Sequence, residues 1–180
     1  MLQLTIPAVE LWDERTQEFI SSKERTLQLE HSLVSIQKWE SRWNKAFLSK
    51  KGMSYEETVD YIRCMTITQN VDPDIYNRIT AEHIDQVNRY VGNSMTATTF
   101  VDDKKGKRNN EVVTAEVIYY WMVALQIPPE YRKWHLNQLL SLIRVVNVKN
   151  TPPKKMKGRD IASQNAALNA ARRKRLNTRG

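Results

Sequence analysis

Apolar and polar residues alternate at the start of the chain: Gln3 and Thr5 separate Leu2, Leu4 and Ile6, and the pattern stops at Pro7. Leu27 and Leu29 alternate again in TLQLEH. A period of two puts every second side chain on one face of an extended strand, so both segments predict short, half-buried strands. Phe19 and Ile20 can supply a third, with the polar run DERTQE as the turn of a small antiparallel hairpin or sheet.

From Ser32 the period lengthens to that of a helix. Leu33, Ile36, Trp39, Trp43, Ala46 and Phe47 fall within about 140° of a helical wheel, which predicts an amphipathic helix with an aromatic edge, ended by Gly52. Ser54 with Glu57 three residues on is a capping box, and Tyr55, Val59, Ile62 and Thr66 then predict an apolar face with Cys64 opposite it. NVDPD breaks this helix; Thr80 can cap the next, whose stripe is Ile84, Val87 and Val91 before Gly92. Residues 102–110, DDKKGKRNN, contain no apolar side chain and predict a surface loop. VIYYWMVAL is apolar all round, which for a helix predicts burial on every side, and IPP then leads into a long pattern through Trp134, Leu136, Leu139, Leu140, Ile143 and Val146. These two segments are expected to be the central helices of the core.

Charge divides the chain. From Lys149 to Gly180 ten Lys/Arg face one acid, Asp160, whereas the residues before carry 18 basic and 19 acidic side chains. The first part has enough apolar residues for a core; the second has little beyond Met156, Ile161, Leu168 and Leu176, and must meet something else. Its linker NTPPKKMKG precedes a predicted helix of roughly 17 residues, with Asp160 near the start and RRKR at the end to suit the helix dipole. The expected fold is thus mainly α: a single helical domain over residues 1–148, β-rich over 1–31, with a basic linker and C-terminal helical tail over 149–180.

Catalytic signals are absent from the pattern. His31, His83 and His135 lie far apart without metal-ligand spacing, Cys64 has no surrounding nucleophile motif, and five glycines form no phosphate-cradling loop. The histidines read as polar helix edges. No catalytic, cofactor or metal residue is assigned, and the chain is not expected to be an enzyme. No stretch approaches the roughly 20 apolar residues of a membrane span, and one cysteine makes no internal disulfide, so a cytosolic protein is expected.

The basic tail is the strongest constellation. Clustered Lys154, Lys155, Lys157, Arg159, Arg172, Arg173, Lys174 and Arg175 can bind phosphates or the acidic face of a protein. It has no aromatic residue for base stacking, while Arg172 and Arg175 flank the Ile161/Leu168 stripe as in a helix docking on a partner's groove; a protein partner is preferred and nucleic acid stays open. Trp39 and Trp43 are further candidate contacts, weighed against simple core packing.

The stretches LQLEHSLVSIQKWESRW, YIRCMTITQNVDPDIY, MTATTF, IYYWMVALQIP, KWHLNQLLSLIRVVNVKN, PPKKM and ALNAARRKRLNTRG together resemble one family of tailed bacteriophages, the tail assembly chaperones encoded near the major tail and tape-measure proteins. The resemblance implies a non-enzymatic factor in the cytoplasm of the infected host, binding the tape-measure protein, the tail-tube protein or both during tail morphogenesis, with homo-oligomerisation left open. A virion structural protein and a nucleic-acid-binding regulator acting through the tail are the alternatives.

Overall fold

The computed structural model describes residues 1–13, 17–49, 52–100, 112–151 and 158–176; at 11–13, 18–21, 158–161, 164 and 174–176 it describes the backbone alone. The fold is mainly α-helical with a small antiparallel β element at the N-terminus. The chain divides into two compact units, Met1–Asn147 and Val148–Gly180. The expected loop at 102–110 and the linker at 152–157, which holds Lys154, Lys155 and Lys157, lie outside the described residues.

The N-terminal strands are two stretches of one hairpin. β1 (Leu2–Ile6) pairs antiparallel with β4 (Arg25–Leu29), and β2 (Val9–Asp13) with β3 (Glu18–Ser22). One register runs through both pairs, with Leu4 opposite Leu27 and Val9 opposite Ser22. The interruption falls at Pro7, whose ring nitrogen has no hydrogen to give a ladder. There the Arg78 guanidinium donates to the Pro7 carbonyl and to the Ser22 hydroxyl, bracing both arms of the hairpin. Alternation does what the pattern predicts: Leu4, Ile6, Leu27 and Leu29 are fully buried, while Thr5 and Thr26 meet on the exposed face with hydroxyls 3.1 Å apart.

The free side of β4 is covered by chain that returns much later. The Ile67 amide donates to the Gln28 carbonyl and the Glu30 amide to the Met65 carbonyl, both at 2.9 Å. The Leu136 amide donates to the His31 carbonyl, also at 2.9 Å. Residues 28–32 are therefore held by two distant parts of the sequence, 65–67 and 135–136, and backbone pairing keeps that edge from being exposed.

α1 (Leu33–Trp43) buries Leu33, Ile36 and Trp39 beneath a capping box of Ser32 and Ser35. It ends at Asn44, not at Gly52, because Asn44 adopts a left-handed φ of 49°, a conformation Asn tolerates at helix ends. Phe47, beyond the helix, folds back with its ring 4.2 Å from Tyr61 and 5.4 Å from Trp39. The expected capping box of α2 (Tyr55–Met65) forms as Ser54 and Glu57. Its buried face differs from the expected one: Glu57, Tyr61, Ile62, Cys64 and Met65 are buried, whereas Tyr55 is exposed and Val59 half-buried. α2 packs on α1 and its end runs into the β4 edge, so it buries a wide arc centred away from Tyr55.

A 3-10 turn (Pro73–Arg78) follows NVDPD, and α3 (Ala81–Val91) buries Val87 behind a cap in which Thr80 and His83 bond reciprocally. α4 (Ala115–Ala124) corrects the expectation of burial on every side. It buries Ala115, Ile118 and Met122 on the side toward α1 but leaves Tyr120 69% and Val123 78% exposed. After a second 3-10 turn (Pro129–Lys133), α5 (Leu136–Asn150) buries Leu136, Leu139 and Ile143. Trp134 precedes α5 and stacks, half-buried, on Tyr131 at 4.2 Å. The fully buried side chains concentrate on the β1–β4 pair and α1, so these, rather than α4 and α5, form the centre of the core.

Glu40 fastens this core to two later stretches of the chain. Its Oε1 accepts the Phe47 amide and its Oε2 the Ala115 amide, both at 2.8 Å. The Ala115 amide is an orphan donor of the first turn of α4, where a carboxylate also meets the positive end of the helix dipole. Glu40→Ala is expected to cost about 2–5 kcal/mol, since two amides lose their acceptor. Denaturant unfolding checks this, and an effect below about 0.5 kcal/mol, the scale of an ordinary surface change, would contradict the clamp.

In the second unit α6 (Gly158–Leu176) is a helix of 19 residues. Its described side chains from Ala162 to Arg173 are exposed, Leu168 included at 51%.

Candidate functional site

The aromatic end of α1 is committed to the fold. Trp39 is 2% exposed and its indole N–H donates to the Glu57 carbonyl at 2.9 Å. Of the two readings weighed for it, core packing and partner contact, burial leaves only packing, which corrects its place among the contact residues. Trp43 is half-buried, and its indole N–H donates to Asp60 Oδ2 at 3.0 Å while Arg42 holds Oδ1 at 2.5 Å. Its polar edge is thus already satisfied. Beside them a cleft of about 420 Å³ is lined by Trp39, Lys45, Phe47, Gly52, Met53 and Glu57. Lys45 and Glu57 pair across it, and the ammonium together with the Ser54 amide holds the Glu57 carboxyl below the usual range. A cleft whose two charges neutralise each other offers no free acid or base.

The sequence left a polar centre unread. His31 and His135, more than a hundred residues apart, meet edge to face at 4.9 Å in the core. His31 Nδ1 lies 2.5 Å from the Tyr61 hydroxyl, which lies 3.3 Å from Ser35 Oγ. His135 Nε2–H donates to the Tyr90 carbonyl at 3.1 Å, and its Nδ1 accepts the Asn137 amide at 3.3 Å. That pair of bonds fixes His135 as the neutral tautomer with hydrogen on Nε2. Burial first, then the neighbouring His135, pushes the His31 pKa down to about 3, and burial likewise lowers that of His135. Burial raises the Tyr61 hydroxyl above its ordinary value and the Cys64 thiol to about 11. A neutral imidazole against a neutral phenol in a closed core joins elements; His31 and His135 are corrected from helix edges to core residues. No periodicity could have found them, because the pairing is made by the Ser32–His135 bridge.

The uncovered surfaces lie elsewhere. Glu116, Tyr120 and Val123 form a stripe along the outer side of α4, and Val112 in the segment before it is 60% exposed. Tyr119, one position away, is tied to α1 through its hydroxyl and Gln37 Oε1 at 3.0 Å. Two large apolar side chains so exposed on one helix face cost burial free energy that contact with another surface would recover. A helix apolar all round hides this in the sequence, since no face stands out. In the second unit the structure places Leu168, Arg172 and Arg173 exposed on α6. Arg159, Ile161, Lys174 and Arg175 lie on the same helix, where only the backbone is described.

No family model matches the chain, and neither a curated protein nor a solved structure matches it. Among the described residues no group of three or more His, Cys, Asp or Glu is placed to hold a metal ion, and no helix is long and apolar enough to cross a membrane.

Proposed function

We propose that the chain is a non-enzymatic binding protein, a phage tail assembly chaperone that covers apolar helical segments of the tape-measure protein, the tail-tube protein or both in the cytoplasm of the infected host. The observation that carries this reading is the α4 stripe, where Tyr120 and Val123 stay largely exposed on a helix otherwise built into the core. An apolar, aromatic stripe on a rigid helix is a surface suited to another amphipathic helix. The resemblance of the sequence to tail assembly chaperones supplies the identity of the partner. The basic helix over Gly158–Leu176 serves as a second, separately attached arm with Leu168 and Arg172 on it.

The test is affinity purification of the tagged chain from phage-infected cells under nuclease treatment, with co-purifying proteins identified by mass spectrometry. Recovery of the tape-measure or tail-tube protein supports the proposal. The double substitution Tyr120→Arg with Val123→Asp is expected to reduce that recovery at least ten-fold while shifting stability by no more than about 0.5 kcal/mol, as exposed positions do. Finding the protein stoichiometrically in purified virions would replace a chaperone with a particle component. Recovery of nucleic acid alone, in a parallel purification without nuclease, would make the tail a nucleic-acid arm.

A further inference from the structure

Four stretches of the chain close on one pair of rings. His31, where β4 runs into α1, and His135, just before α5, are both buried, with ring centres 4.9 Å apart. From α2 the Tyr61 hydroxyl reaches His31 Nδ1, 2.5 Å away. At the end of α3 the Tyr90 hydroxyl bonds the His31 backbone, and the Tyr90 carbonyl accepts the His135 Nε2–H. The same place fastens the start of α5. The Leu136 amide donates to the His31 carbonyl at 2.9 Å, and the Asn137 amide to His135 Nδ1 at 3.3 Å. The Asn137 side-chain amide donates to the Val91 and Asn93 carbonyls at 2.9 and 2.7 Å.

This setting suits two neutral imidazoles and no imidazolium. Both His135 nitrogens are committed, so a further proton would go to Nδ1 and set an N–H against the Asn137 N–H. A proton on His31 would put a charge beside the Tyr61 hydroxyl, the Phe47 ring and the second imidazole. Among the described residues neither ring has a carboxylate in ion-pair reach. The charged neighbours are Glu30, Lys133 and the N-terminal ammonium, and that ammonium disfavours a positive charge on His135. Tyr61, Tyr90 and Cys64 stay neutral, their pKa values raised chiefly by burial. A buried charge without a partner is costly, and separating the elements that enclose it returns it to water. The centre of the core does not pass through this pair, since β1 pairs with β4 and α1 packs directly on α2 and α4.

We propose that the His31–His135 pair is an acid-operated latch. At neutral pH it holds the start of α5 on the β4–α1 junction; uptake of a proton by either imidazole lets that segment come away while the β1–β4 pair and α1 stay folded. Opening bares Leu136, Leu139 and Ile143, the buried stripe of α5. A helix of 15 residues is marginal in water once it loses its packing, so the amides of the released segment are open to exchange. The latch stands independently of the chaperone reading.

Hydrogen exchange of the full chain tests it, read by mass spectrometry on peptic fragments at pH 7 and pH 5 and corrected for the pH dependence of intrinsic exchange. For an imidazole whose pKa is about 3 enclosed and 6.5 free, the open population rises about 25-fold between those two pH values. Protection over residues 135–146 is therefore expected to fall at least ten-fold from pH 7 to pH 5. At pH 5 it is also expected to lie at least ten-fold below that of β1 and α1, whose amides wait for global unfolding. The double substitution His31→Asn with His135→Gln, which leaves no proton to take up, is expected to remove the pH dependence over 135–146. The comparison of segments within the unaltered chain needs no variant to fold. Protection over 135–146 that is unchanged between the two pH values, equal protection in all three segments at pH 5, or a pH dependence that persists in the folded double variant would each overturn the latch.

Discussion

Trp39→Ala is expected to destabilise the protein by about 3–5 kcal/mol, the range for removing a large aromatic side chain from a core. Trp39 is 2% exposed, lies 5.4 Å from the Phe47 ring and 6.3 Å from that of Trp43, and reaches across to α2 through its indole N–H. The Glu57 carbonyl it contacts is a helix carbonyl with its own intrahelical donor, so the loss comes mainly from the cavity and the exposed neighbours. For a chain of this size the melting temperature should drop by roughly 2–4 °C for each kcal/mol lost. Trp134→Ala provides the contrast. Trp134 is half-buried and stacks on Tyr131 within a surface 3-10 turn, so it should cost about 0.5–1.5 kcal/mol, the worth of an aromatic pair. Both are measured by denaturant unfolding followed by circular dichroism. Equal losses at the two positions would remove Trp39 from the centre of the core.

Stability should also fall as the medium is acidified below about pH 6.5, because the folded core keeps His31 neutral down to about pH 3. Between those values the unfolded chain binds a proton that the folded chain refuses, so unfolding stability rises with pH. The contribution is complete above the ordinary histidine pKa of 6.5 and is lost progressively as the pH falls toward about 3. His135, whose Nδ1 already accepts the Asn137 amide, adds in the same direction, since its pKa is lowered too.

His31 alone implies a slope of about 1.4 kcal/mol per pH unit in this window. From pH 6.5 to pH 5 that amounts to about 2 kcal/mol, or roughly 4–8 °C in melting temperature. Two carboxylates also depart from their ordinary values. Burial raises the Glu30 pKa above its ordinary 4.5, which opposes the trend, while the Lys45 ammonium lowers that of Glu57, which reinforces it. From pH 6.5 downward both histidines act in the same direction. His31→Asn should lower the plateau near neutral pH and flatten the slope beneath it. Melting temperatures that stay level from pH 7 to pH 5 in the unaltered chain would sink this account.

Much of the fold was legible because it is local. The alternation in Leu2–Ile6 and Leu27–Leu29 needs only the strand period, and the Ser54/Glu57 and Thr80 caps need only nearest neighbours on a helix. The end of α1 was misplaced because Asn44 terminates the helix by its own conformation, a stop weaker in the sequence than Gly52. The face of α2 was misplaced because two packing partners, rather than one, decide which side is buried. For the candidate site, the exposed part of the basic tail could be anticipated from charge and the scarcity of apolar residues. Trp39 could not be sorted into core or contact, since an aromatic edge has the same pattern in both.

The sequence by itself determined the elements and the division of charge: strand and helix periods, caps and the excess of Lys/Arg after residue 148 are properties of neighbouring residues. Only the tertiary structure decided which apolar residues remain uncovered and which polar residues are enclosed. Tyr120 and Val123 are exposed because α4 has a neighbour on one side, and His31 meets His135 because the chain returns to pair with residues 31 and 32. The physical reason is the same in each case: burial and pKa depend on what distant chain arrives at a position, and no periodicity along the sequence encodes that arrival.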